Sequence, residues 1–152
     1  MTGKQKRLVQ TSFEQVKPFA DVAARLFYGC LFELDPRLEA LFRGDREEQG
    51  RKLMRMIGLA VNGLDNLAEL VPTLLALGGR HASYGVVERD YITVRRALLW
   101  TLERGLGAAF TPEVRESWAT VYNLLADTMK VGAKSAVLVN VPESDRSYQH
   151  KW

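Results

Sequence analysis

Apolar residues recur at helical spacing through most of this chain, and nowhere do they alternate residue by residue. The clearest run is Val114, Trp118, Val121, Tyr122, Leu125 and Met129, one stripe along a helix that begins at "FTPEV". There Thr111 is a side-chain cap, Pro112 occupies the first turn where its missing N–H costs least, and Glu113 and Glu116 favour the positive helix end. A second helix is predicted over about Arg46–Leu64, with Leu53, Met56, Ile57, Ala60 and Leu64 inward, and a third over about Arg89–Leu106, with Tyr91, Val94, Leu98 and Leu102 on one face. Residues 4–35 read as one long helix or two broken near Pro18. Pro72 is expected to open a short helix that carries Leu74, Leu77 and His81 on one face. The fold class is all-α.

At 152 residues and 47% apolar the chain is one domain, large enough for a real core, over residues 1–136. Residues 137–152, "VLVNV" followed by a polar stretch, are an extension whose course the sequence does not decide: more helix, a fold back, or an appended tail. The net charge of +3 is mild and dispersed, which speaks against a nucleic-acid partner. Cys30 is alone, so no disulfide forms within one chain, and a reducing compartment fits best. Glu14, Lys17, Pro18 and Asp21 interrupt any signal-peptide core, and no apolar run is long enough to span a bilayer. A cytoplasmic location is expected.

"LLALGGRHASYGV" holds His81, the only histidine besides His150. A histidine on an apolar helix face is either a core residue satisfied by a neighbour or a ligand. No HExxH, Cys/His pair or carboxylate cluster accompanies it, so a zinc or two-metal site is poorly supported. A single protein ligand suits a cofactor that brings its other ligands. Haem does so, since four porphyrin nitrogens leave an axial place for one imidazole.

Over roughly residues 4–133 the chain resembles the globins. "ELDPRLEALF" is similar to the end of the second globin helix and the short third one, "LLALGGRH" to the helix of the proximal histidine, and "LGAAFTPEVRESWATVYNLLADTM" to the last helix, with neuroglobin a close likeness. "RLFYGCLF" also resembles bacterial single-domain haemoglobins and the haem domain of flavohaemoglobins. The resemblance implies a three-over-three helical sandwich around haem b, with His81 as the iron ligand and Phe42 against the haem face. It places Tyr28 and Gln49 on the distal side as hydrogen-bond donors to a bound ligand, Leu53 closing that pocket, and Lys52 at the rim near a propionate. Leu77, Val86, Tyr91, Val94, Leu125 and Met129 fall at positions that contact haem in the family. Ala24 and Gly50 fall where two globin helices cross closely, which small residues permit.

Two departures qualify the resemblance. Flavohaemoglobins join a tyrosine and a glutamate to the proximal histidine; Tyr91 matches the tyrosine, but the glutamate position falls near Ala133, where no acid exists. Neuroglobin's distal histidine binds its own iron, and Gln49 in that place is a much poorer ligand. The expected function is tight, reversible O2 binding at ferrous iron, with CO and NO as further ligands. Two donors contributing about 1.5–3 kcal/mol each would slow O2 release roughly 10²- to 10⁴-fold. The rival readings are a nitric oxide dioxygenase served by a separate reductase, and a gas sensor or electron carrier.

Overall fold

The computed structural model describes residues 1–137, which form six helices joined by short turns. They are α1 (Gly3–Val16), α2 (Ala20–Leu34), α3 (Arg46–Asn62), α4 (Leu67–Ser83), α5 (Glu88–Leu106) and α6 (Pro112–Val137), and no strand occurs among the described residues. Helices α1, α3 and α4 pack across α2, α5 and α6, the three-over-three sandwich that the sequence predicts. Its longest crossing is α4 against α6. The expectations for residues 137–152, His150 among them, lie outside the described residues except for Val137 at the end of α6.

The predicted boundaries hold where local chemistry sets them. Thr111 Oγ1 accepts the Val114 N–H at 3.2 Å, and Asp45 caps α3 by accepting the N–H groups of Glu47 and Glu48. Pro18 does break residues 4–35 in two, through a single 3₁₀ turn over Lys17–Phe19. The helix predicted over about Arg46–Leu64, α3, stops at Asn62, and Leu64 is buried from the 3₁₀ turn that follows.

Pro72 is a correction. It does not open its helix; α4 starts upstream at Leu67 and runs through it. The proline ring fixes a helical φ, so only one ladder bond, to the Ala68 carbonyl, is lost. Burial of Leu70, Leu74 and Leu77 on the face toward the core offsets that loss, each aliphatic side chain contributing about 1.5–3 kcal/mol.

The core divides in two. Val9, Phe13 and Val16 of α1 meet Trp118 and Val121 of α6, and the Trp118 indole donates to Ser12 Oγ at 2.8 Å. Phe27, Tyr28 and Leu31 of α2 pack with Leu38, Phe42 and Leu53. Between α2 and α3 the crossing is as close as predicted: a Cβ on Gly50 would stand 3.0 Å from that of Ala24. A cavity of about 140 Å³ separates these two clusters from α4, far above the water-sized voids that a packed interior leaves.

Candidate functional site

His81 forms part of the cavity wall and is only 3% exposed. It sits at the end of α4, where the chain turns sharply: its own carbonyl accepts the N–H groups of Tyr84 and Val86, and Gly85 supplies the positive φ of 96° that the turn needs. Its Nδ1 lies 2.7 Å from the Leu77 carbonyl oxygen. A carbonyl only accepts, so Nδ1 carries the proton and Nε2 keeps the lone pair. Burial first, and then the Arg80 charge, lower the imidazole's pKa to about 4, against the opposing effect of the Leu77 bond. A base that weak is a poor proton shuttle near neutrality. It is well suited to offering a lone pair.

The rest of the wall is almost wholly apolar. Of the residues singled out from sequence, Phe42, Leu53, Leu77, Val86, Tyr91, Val94, Leu125 and Met129 line the cavity with His81. Phe42 enters from the turn after the Pro36–Leu41 3₁₀ helix, which Pro36 and the Asp35 cap start. Its ring stands edge-on to Tyr28 at 5.2 Å.

Three of the predicted residues lie outside that wall. Lys52 reaches back one turn to Glu48 at 3.4 Å. Tyr28 is buried, but its hydroxyl donates to the Gln49 backbone carbonyl at 3.3 Å. The Gln49 amide is buried too and donates to the Arg43 carbonyl. The reason is electrostatic: a buried hydroxyl or amide takes the nearest acceptor, and the chain leading into α3 offers carbonyls. Gln49 Oε1 is buried with no hydrogen-bond partner among the described residues.

Sequence reasoning missed several groups here. Asp90 is buried against the cavity and accepts the Val87 N–H at 2.9 Å; it reads as an ordinary first-turn acid, and serves as one. Tyr122 also lines the cavity, and its hydroxyl donates to the Tyr91 carbonyl at 2.6 Å. Arg46 stacks over Phe32 at 4.7 Å, closing the far side of the aromatic cluster around Tyr28. Tyr28 and Phe32 are one turn apart on α2, but only the assembled fold brings Arg46 to them.

Near Tyr91 the missing glutamate has a counterpart of opposite charge. Lys130 Nζ stands 5.5 Å from the Tyr91 ring centre. The Tyr91 hydroxyl is buried without a hydrogen-bond partner among the described residues, and burial, helped by the Asp90 charge, raises its pKa. No group of three or more His, Cys, Asp or Glu among the described residues could hold a metal ion by itself. What the site can do is give one neutral imidazole to a bulky apolar group that carries its own metal.

Residues 25–129 match the globin family model. The chain is 32% identical to the neuroglobin of Danio rerio over 146 residues, covering 87% of this chain and 92% of the relative. Among solved structures it is similar to a hexacoordinated haem protein from an anhydrobiotic tardigrade, with a TM-score of 0.80 and 18% identity over 88% of this chain and 96% of that one. It is also similar to the flavohaemoglobin of Malassezia yamatoensis, solved with bound FAD and haem, with a TM-score of 0.77 and 21% identity over 93% of this chain and 39% of that one. A family match over that span, with that identity to a curated relative, means that this chain belongs to the globin family.

Proposed function

We propose that this globin holds a non-covalent haem b through His81 and binds O2 tightly and reversibly, Tyr28 and Gln49 supplying the distal hydrogen bonds. Globins are haem proteins that bind diatomic gases, and this chain is one of them. Its residues fit the group. The cavity is apolar, the His81 proton is on Nδ1, and Nε2 is the nitrogen that would meet iron. The buried hydroxyl of Tyr91, a wall residue without a hydrogen-bond partner among the described residues, leaves polar capacity for what enters. The sequence has one cysteine and no CxxCH, so covalent attachment through thioethers has no support.

Held through His81, haem would supply an iron that binds a diatomic gas. The chain's own residues do the rest. Leu77 holds the His81 ring by its Nδ1 proton, which fixes the tautomer and raises the basicity of Nε2. Phe42, Leu53 and the aliphatic wall would exclude water from a bound haem, which would slow oxidation of its iron. Tyr28 packs against Phe27 and Phe42 of the cavity wall, and Tyr28 and Gln49 would each exchange a backbone carbonyl for the ligand. The observation that carries this reading is a buried neutral histidine at the wall of an apolar cavity. The test is an absorption spectrum of the purified protein, reduced and then exposed to air: the spectrum of a stable oxygenated haem supports it, and a protein without haem overturns it.

A second reading, nitric oxide dioxygenase with a separate reductase, is favoured by the same distal pair and by Tyr91 at the cavity. Against it stand the lack of an acid near Ala133, where the resemblance would put it, and the Lys130 charge over the Tyr91 ring. Steady-state consumption of NO with a flavin reductase and NADH separates the two.

A further inference from the structure

Helices α4 and α6 meet backbone to backbone at two points. A Cβ added to Gly78 would stand 1.8 Å from the Met129 carbonyl oxygen, and one added to Gly132 would stand 2.0 Å from the Leu75 carbonyl oxygen. The contacts are reciprocal, since on each helix the glycine follows the contacting carbonyl by three residues. In both cases the obstacle is main chain, which cannot rotate aside as a side chain can. No other described glycine for which a Cβ contact is given comes so near another backbone.

We infer that Gly78 and Gly132 form a clasp that fixes the register and height of α4 on α6, making them positioning residues for His81. The inference rests on the reading of His81 as the iron ligand. Gly78 follows Leu77, whose carbonyl holds the His81 Nδ1 proton, so the peptide that orients the imidazole adjoins the one pinned by Met129. Upstream, Pro72 removes the N–H that would bond to Ala68, so α4 is least supported just before Leu75. The stiffness of the half that carries His81 therefore comes from α6. Sliding α4 along α6 would drive one carbonyl or the other into a neighbouring side chain. The imidazole keeps one height, and the clasp would set how far it can move with a bound iron.

Gly78→Ala and Gly132→Ala test this, with Gly29→Ala as control, because nothing lies within 4 Å of a Cβ there. In the haem-loaded protein each clasp variant should shift or broaden the iron–imidazole stretching band in resonance Raman and change O2 release at least threefold. The control should do neither. A folded clasp variant whose band is unmoved overturns the inference alone; an unmodified protein with no such band overturns the His81 reading and this inference with it. Hydrogen exchange on the unmodified protein covers the case in which neither variant folds. Amides of residues 79–83 should exchange at least tenfold more slowly than those of residues 67–71, and equal rates overturn the clasp.

Discussion

The Tyr28 hydroxyl and the Gln49 backbone carbonyl are 3.3 Å apart, a long separation for an O–H···O bond, whose usual length is about 2.7–2.8 Å. Exchanging so weak a bond for a stronger acceptor costs little. Tyr28 is therefore expected to turn to bound O2, whose partial negative charge makes it the better acceptor. Tyr28→Phe keeps the ring that packs on Phe42 and removes only the hydroxyl. Stopped-flow displacement of O2 by CO should show release faster by a factor of about 10 to 100, from roughly 1.4–2.8 kcal/mol lost. Unchanged release would remove tyrosine from the distal mechanism.

Gln49 starts from a firmer bond to the Arg43 carbonyl and has more rotamer freedom to lose, so it should contribute less. Gln49→Leu is expected to speed O2 release by a smaller factor than Tyr28→Phe. Both donors meet one ligand and Tyr28 bonds to the Gln49 main chain, so the double variant should depart from additivity. Simple multiplication of the two effects in the same stopped-flow series would mean that they act at separate places.

The ferrous protein without added ligand is expected to be five-coordinate. In the proposed alignment Gln49 takes the place of a self-ligating histidine, and Lys52 is drawn back to Glu48. A dominant six-coordinate low-spin ferrous signal in resonance Raman would show that Tyr28, Gln49 or Lys52 reaches the iron.

How much of this was legible in the sequence depends on the range of the forces involved. Thr111 and Asp45 set helix ends through bonds to residues two or three positions away, and such signals are local. The stripe from Val114 to Met129 likewise lies on one helix. Pro72 misled because a local breaker was overruled by the burial of Leu70, Leu74 and Leu77, which depends on the fold. Tyr28 and Gln49 are expected together beside a bound ligand; the structure sets the Tyr28 hydroxyl on the Gln49 main chain, with both residues outside the cavity wall. Their present acceptors, carbonyls of Gln49 and Arg43, have no signature in side-chain chemistry. The tight approach of Gly78 to Met129 left only a glycine, and a glycine has many explanations.

His81→Ala should abolish stable haem retention, or leave haem that added imidazole restores to a native spectrum. The cavity wall remains apolar in the variant, so weak hydrophobic capture of the porphyrin is expected to persist. Titration of the haem-free variant with haem, with and without imidazole, measures this. A native spectrum in the absence of imidazole would remove His81 from the iron.

Acid should weaken the haem-free protein through His81 before the carboxylates act. Its imidazole falls from an ordinary 6.5 to about 4 in the folded chain, chiefly through burial. Between those values the unfolded chain binds a proton that the folded chain refuses. Stability therefore rises with pH through this window; it is fully present above 6.5 and lost as pH falls toward about 4. A shift of that size corresponds to about 3 kcal/mol, at 1.36 kcal/mol per unit. Asp35 and Asp65, held below the usual carboxylate range chiefly by hydrogen bonds from Arg37 and Lys6, lose their contributions only at lower pH, below their ordinary 3.8. Urea unfolding of the haem-free chain at pH 7, 5.5 and 4 should show the fall, and His81→Leu, which puts an apolar side chain of similar size in the same place, should flatten it. A slope that survives in His81→Leu would assign the acid sensitivity to some other group.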